Sequence, residues 1–506
     1  METDTTLLSS PIPRAGRREW IGLAVLTLPT LLVSMDATVT YLAIPSLSAS
    51  LKPTGSQLLW ITDIFTFMEG GFLIIMGVLG DRIGRKRLLT IGFVLFSLAS
   101  VMAAFAGSAI WLIAARAVLG ITGAIILPCT LSLIRSMFRD DRERTIAFGI
   151  YTACYAGGTM LGPLLGGILL THFWWGSVFL ISVPLMCLFL FASGLLTEYR
   201  DVDARQFSLT SAVLLLTGML SATGGIKHIA ESGAFQWRAL LSIAAGVVLF
   251  SVFVRIQKTI RNPLVNLHLF SIPAFGATLA TLFLSLFCWS GLYLFIAQYL
   301  QLVRGLAPMQ AGLLTLLPAA ITMAGCMFAP QILRWISRTV TIIIGNIIML
   351  TGMLMLTQLE TDTHLFLLIA ACTCLSLGCG FIVTLGIDLI VSVAPPEQAG
   401  AVSGISESST TFGSALGVAL LGSIGTAIYH SHMAAAKTSG ISVITEDARN
   451  TLGGALAASL QLPAEAGAAL LVQARAAFLV SFHSAALIGS IAIVMMVLVF
   501  SIAARK

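Results

Sequence analysis

Gly77-Val78-Leu79-Gly80-Asp81-Arg82-Ile83-Gly84-Arg85-Lys86-Arg87 places one acid and four bases in seven residues, behind and among three glycines that allow a tight turn. On either side lie predominantly apolar stretches, 58–79 and 88–107, each long enough at about 1.5 Å per residue to cross the hydrocarbon core of a bilayer. A charged turn between two such stretches reads as the loop of a membrane hairpin, with its bases on the cytoplasmic side.

Outward from this loop the pattern repeats. Similar stretches fall near 20–44, 110–134, 145–170, 174–197, 207–226, 237–256, 272–301, 309–330, 339–358, 363–393, 398–429 and 476–503, fourteen in all. Of the 506 residues 57% are hydrophobic and 10% charged, far below the roughly 25% charged of a soluble domain. With the N-terminus inside, 20 of the 28 Lys and Arg residues fall in inner segments and seven in outer ones, which predicts cytoplasmic termini. The net charge of +6 therefore reflects topology, and nucleic acid is not an expected partner. The polar start, with Arg14, Arg17 and Arg18, precedes a run longer than a signal-peptide core and reads as a retained tail. All eight cysteines lie in the apolar stretches, without metal-ligand spacing or a disulfide pattern, and read as packing residues.

An internal repeat organises the chain. At an offset of 255, Gly149, Gly158, Gly162 and Gly167 fall on Gly404, Gly413, Gly417 and Gly422. Parallel repeats of this kind place a substrate path at their interface. The expected organisation is a tail at 1–19, a six-helix half at 20–197, two inserted helices with flanking loops at 198–262, and a second six-helix half at 263–506. That last half includes an outer loop, 430–475, in which amphipathic stretches at 446–460 and 464–476 predict short helices on the outer face.

Charges inside spans carry the chemistry. Asp36, Asp63, Glu69, Asp388 and Glu407 all fall there, where an unpaired charge costs roughly 2.5–3.5 kcal/mol on insertion scales, so each needs a partner or a task. A carboxylate in such surroundings can carry either a proton or a cationic substrate. Asp36, Asp63 and Arg116 share a depth near the outer side, which predicts a charge cluster. Gly120 and Gly123 lie one and two turns along the face of Arg116. Glu407 has Thr411 and Ser414 on its face, a polar stripe suited to a cavity and to binding a cation. Asp388 can cap a helix or pair with loop arginines, and Glu69 does not share the face of Asp63, so the roles of these two stay open. Trp60, Phe67, Tyr155, Trp289, Tyr293 and Phe412 could supply cation–π contacts to the bound cation, although singly each reads more simply as packing.

In 145–170, Gly158, Gly162, Gly166 and Gly167 with Pro163 put small residues on adjacent turns and add a helix-bending proline, so another helix can approach closely.

These features together resemble the fourteen-span drug:proton antiporter family of the major facilitator superfamily, over essentially the whole chain. The resemblance implies an all-α polytopic membrane protein with a major facilitator fold of 14 transmembrane helices (6+2+6) and both termini cytoplasmic. It implies a gating loop of Gly77, Asp81, Arg82, Gly84 and Arg85, with Asp81 docked at the start of the helix near 398. It implies an antiporter motif of Gly158, Gly162, Pro163, Gly166 and Gly167, proton coupling by Asp36, Asp63 and Arg116, and binding of the substrate cation by Glu407, Asp63 and Asp36. Within the family, Leu59-Trp60-Ile61-Thr62-Asp63 and Ser406-Glu407 are most similar to exporters of quaternary ammonium biocides, methyl viologen and dyes. The chain departs from that group in carrying Thr411 where those exporters have a further acid, and Glu69 where small residues are usual.

The expectation is a proton-coupled exporter of lipophilic organic cations, working as a monomer in the bacterial plasma membrane, with protons, the cations and the bilayer as its partners. No cofactor or metal and no enzymatic activity are expected: there is no phosphate-binding Gly-Lys-Ser/Thr loop, no His-Glu-x-x-His and no Cys-x-x-Cys metal spacing. An exporter of a neutral or anionic metabolite would suit the same fold, and a transport-dead membrane sensor is the reading from another class.

Overall fold

In a bilayer every backbone N–H and C=O must be satisfied within the chain, so long apolar runs fold as helices. The computed structural model describes residues 15–53, 55–196, 198, 208–232, 237–260, 263, 267–306, 308–361, 364–394, 398–435, 448–449 and 451–503, and every regular element among them is helical. The first five helices are α1 (Arg17–Leu51), α2 (Gly55–Ile83), α3 (Arg85–Ala104), α4 (Ala109–Met137) and α5 (Asp141–His172). A broken element follows, α6 (Ser177–Leu180) and α7 (Ser182–Ala192), then a hairpin of α8 (Leu209–Ser232) and α9 (Trp237–Thr259). The remainder comprises α10 (Pro273–Gln298), α11 (Pro308–Ile332), α12 (Arg338–Leu356), α13 (Leu365–Val393), α14 (Ala399–Ala435), the short α15 (Leu452–Ser459) and α16 (Ala464–Ala503).

Local chemistry sets several ends. The side chain of Asp140 accepts from the backbone N–H groups of Arg142 and Glu143 to start α5, and Ser108 and Ser337 cap α4 and α12 in the same way. Pro184 has no N–H to offer the Leu180 carbonyl, which accounts for the break between α6 and α7.

Among the described residues thirteen helical segments are long and apolar enough to cross a membrane; α8 contributes a shorter apolar stretch, Thr210–Ala222. One expectation is corrected. Residues 464–476 are not a separate surface helix: nothing after Gly467 breaks the Ala/Leu-rich run, and it forms the first turns of the 40-residue α16. Within 446–460, α15 is short, and 436–447 lie outside the described residues, as do 1–14 of the tail.

Packing has a twofold regularity. Helix α5 packs on α1 with α11 and α13 beside it; α14 packs on α10 with α2 and α4 beside it. The repeated glycines make matching approaches. A Cβ at Gly149 would lie 2.7 Å from the Cys326 carbonyl of α11, and one at Gly404 lies 2.6 Å from the Leu73 carbonyl of α2. At Gly158 it would lie 2.5 Å from Leu31 O of α1, and at Gly413 2.4 Å from Phe283 O of α10. The seam between the two groups thus runs along α2–α14 and α5–α11, while α8 and α9 pack chiefly on each other, with α8 also meeting α2 and α14. Large apolar side chains stay uncovered on the outer faces, among them Leu98 and Met102 of α3, Val248 and Phe250 of α9 and Leu498 of α16, as lipid contact requires.

Candidate functional site

Three groups of charged side chains lie along the seam. In the first, Asp36 of α1 and Arg116 of α4 form an ion pair, with Arg116 Nη1 donating to Asp36 Oδ2 at 2.6 Å and the two residues 4% and 1% exposed. Arg116 Nε donates to the carbonyl of Ile61 on α2 at 3.2 Å, and its guanidinium carbon lies 4.9 Å from the Phe65 ring centroid and 6.0 Å from that of Phe179. The glycines on the face of Arg116 bring α2 against α4: a Cβ at Gly120 would lie 2.3 Å from the Phe65 carbonyl. The side chain of Asp63 lies outside the described residues, so the expected third member of this cluster has no described place.

In the second, Tyr151 of α5 donates its hydroxyl to Oε1 of Glu407 on α14 at 3.1 Å. Tyr155, one turn along α5 from Tyr151, is partly buried. Glu69 on α2 is buried, and Phe412 reaches the neighbouring Gly70, where a Cβ would lie 3.6 Å from its Cζ. Next to Tyr151 on α5, Thr152 shares a hydroxyl hydrogen bond of 2.7 Å with Thr384 of α13. The other predicted aromatics are less enclosed. Trp60 is half exposed and pairs with Phe67 at 6.3 Å between centroids; Trp289 stacks on Tyr293 at 5.4 Å along α10.

The third group closes the arginine-rich end. Asp81 accepts from the backbone N–H groups of Gly400 (3.1 Å) and Ala401 (3.2 Å), the first turn of α14, where a helix favours negative charge. Arg85 pairs with Asp81 at 2.8 Å and donates to the Ser132 carbonyl, and Gly77 and Gly400 bring their backbones together, a Cβ at Gly77 lying 2.2 Å from Gly400 O. Gly84 adopts φ 114°, a left-handed conformation that favours glycine, with Glu198 filling the space beside it; Arg82 is exposed. Asp388, fully buried on α13, accepts from Thr145 Oγ1 at 2.7 Å and pairs with Arg338 at 2.9 Å and Arg144 at 3.4 Å. Arg135 donates to the Ala394 carbonyl.

In α5, Gly158, Gly162 and Gly166 all face α1, and Thr38 Oγ1 donates to the Thr159 carbonyl at 3.3 Å. Gly167 faces nothing within 4 Å, so it is not part of that contact; the side chain of Pro163 lies outside the described residues, and α5 runs through it unbroken. The sequence singled out neither Thr145, Arg144 and Arg338 as partners of Asp388 nor Tyr151 as the partner of Glu407. The one signal was the 255-residue repeat, which puts α5 and α14 in equivalent places on the seam.

The profile of the Major Facilitator Superfamily matches residues 26–418. The chain belongs to the major facilitator superfamily. It is 37% identical to the multidrug efflux pump LfrA of Mycolicibacterium smegmatis, covering 97% of this chain and 98% of the relative. It is 33% identical to the methyl viologen resistance protein SmvA of Salmonella typhimurium, covering 93% and 95%. Among solved structures the human organic anion transporter MFSD10 superposes with a TM-score of 0.62 over 94% of this chain and 99% of that one, at 14% identity, which is a likeness of fold alone. The proton:xylose symporter XylE gives 0.55 over 79% and 87%, at 16% identity. This member of the superfamily is thus a multi-pass transporter of the bacterial plasma membrane.

Proposed function

We propose that the chain is a proton-coupled multidrug exporter that exchanges lipophilic organic cations for protons, with both termini cytoplasmic. Fourteen spans would be arranged as halves at 20–197 and 263–506 around an inserted pair at 198–262. The observation that carries the reading is the contrast between two buried carboxylates. Asp36 is neutralised by Arg116, whereas the carboxylate of Glu407, on the seam, meets the neutral hydroxyl of Tyr151 and no ion-pair partner among the described residues. A buried carboxylate without a counter-cation takes up either a proton or a positively charged substrate, and the two compete. Protonation of Asp36 would release Arg116, linking the pair to the same exchange. The efflux and resistance names of the two relatives support export as the direction.

The proposed cycle is alternating access: the halves rock about the seam, the Asp81 and Asp388 contacts close the cytoplasmic end, and the inward proton gradient drives the cation outward. The test is dye-for-proton exchange in proteoliposomes with wild type, Asp36→Asn, Asp63→Asn and Glu407→Gln. Exchange lost in Glu407→Gln and Asp36→Asn supports the reading. Full activity in all three variants overturns it.

A further inference from the structure

A helix leaves its first backbone N–H groups without partners of its own, and a side chain at the N-cap position ordinarily takes one of them up. At the start of α3 that position is Gly84, which has no side chain to offer. Glu198, beyond the end of α7, does it instead. Its Oε1 accepts from the N–H of Lys86 at 3.2 Å and its Oε2 from that of Arg87 at 3.1 Å. A negative charge at a helix N-terminus is favourable, so the carboxylate suits the place on two counts.

The chain leading to Glu198 is fastened as well. Lys86 Nζ donates to the Leu196 carbonyl at 2.8 Å, and Arg18 Nε, from the first turn of α1, donates to that of Leu195 at 3.2 Å. Gly84 makes the fit possible: besides its φ of 114°, a Cβ there would lie 2.7 Å from Glu198 Oε1. One glycine thus serves both the turn and the carboxylate that fills the space beside it.

The cap bears on the contacts that close the arginine-rich end. Helix α3 begins at Arg85, whose guanidinium pairs with Asp81 at 2.8 Å and donates to the Ser132 carbonyl of α4 at 3.2 Å. Asp81 in turn accepts from Gly400 and Ala401 of α14. A path of bonded groups therefore runs from Glu198 through the first turn of α3, Arg85 and Asp81 to the first turn of α14.

We propose that Glu198 is a positioning residue of the gating loop. It caps α3 from outside the loop, fixes Arg85 against Asp81, and so favours the form closed at this end. When the end opens, Asp81 leaves α14, but the cap joins only α3 and the end of α7 and stays made. The loop then keeps the shape that α14 must meet again.

This inference rests on the alternating-access part of the reading above and not on which ion or substrate is exchanged. Spin labels at Arg142 and Arg334, both exposed, are placed in the full-length protein with its native cysteines replaced. Double electron–electron resonance then reads the opening of this end in the absence and presence of dye, with no proton gradient needed. We expect Glu198→Ala to raise the share of the longer distance about threefold or more. Glu198→Asp, which keeps both oxygens, should retain most of the wild-type distribution, and Glu198→Gln, with one acceptor, should fall between. An unchanged distribution in Glu198→Ala overturns the proposal, whether or not the unfolding temperature drops, because Glu198 would then be a structural cap alone. A shift as large in both Glu198→Asp and Glu198→Gln as in Glu198→Ala also overturns it, since the capping oxygens would not be the agent. Wild type that shows one distance in every condition overturns alternating access and this inference together, whereas failed dye-for-proton exchange with two distances leaves the proposal standing and overturns the exchange alone.

Discussion

At Arg116 a structural tie and the proposed coupling would meet in one residue. Its guanidinium is shared between Asp36, the Ile61 carbonyl and two phenylalanine rings, so it ties α1, α2, α4 and α6 together at one point. Removing one member of a buried pair leaves the other charge uncompensated, at a cost of about 3–5 kcal/mol, while removing both costs much less. Arg116→Leu is therefore expected to lower the thermal stability of the purified protein markedly, and the Asp36→Asn/Arg116→Leu double variant to regain most of it. Dye-for-proton exchange stays lost in both. Thermal unfolding and proteoliposome exchange, measured on the single variants and the double, check this. Were the double variant to recover exchange along with stability, the pair would be a structural tie and no part of the coupling.

At the scale of the element, the glycines of α5 decide how close two helices can come. A Cβ at Gly158 would lie 2.0 Å from Ser34 Oγ, and one at Gly162 2.1 Å from Thr38 Oγ1, both also close to the α1 backbone, whereas one at Gly167 meets nothing within 4 Å. Gly162→Ala is expected to push α5 off α1, costing about 1–3 kcal/mol by overpacking and abolishing most dye efflux, while Gly167→Ala leaves both stability and efflux near wild type. Efflux from loaded cells and thermal unfolding read both variants, and equal tolerance at the two positions would refute the assigned helix face. The spacing of Gly158, Gly162 and Gly166 was legible in the sequence because small residues four apart fall on one side of a helix. Their partner was not, since a helix that is apolar all round carries no mark of which face meets protein and which meets lipid. The same loss of azimuthal information hid the Tyr151–Glu407 contact, 256 residues apart, and the arginines around Asp388. Asp81 was placed by resemblance to a known loop, and its contact with the start of α14 is the one long-range pairing that the loop signature announced.

For the whole molecule the question is what keeps the arginine-rich end shut. Two carboxylates hold it from opposite sides of the seam. Asp81 of α2 reaches the first turn of α14, and Asp388 of α13 reaches Arg144 and Thr145 of α5, with Arg338 of α12 completing its coordination. Asp81 keeps its pair with Arg85 on its own side of the seam when the end opens, and the α14 N–H groups that it leaves are satisfied by water, so loss of that contact alone is a mild bias. Asp388 is different, because without it Arg338 loses its buried acid and Arg144 keeps the exposed carboxylate of Asp141 but not the buried one. Breaking such a network is worth about 3–5 kcal/mol, and 1.4 kcal/mol already changes a two-state ratio tenfold. Asp388→Asn is accordingly expected to move the population toward a form open at this end by at least about tenfold. Spin labels at Arg142 and Ser337, both exposed, in a background with the native cysteines replaced, would report the change as longer distances in double electron–electron resonance. Turnover in proteoliposomes is expected to fall in step, because the form closed at this end must be reached in every cycle, while the proposed cation site at Glu407 would keep the affinity for dye. An unshifted distance distribution, with nothing but a lowered unfolding temperature, would make Asp388 a structural tie and leave Asp81 as the gate.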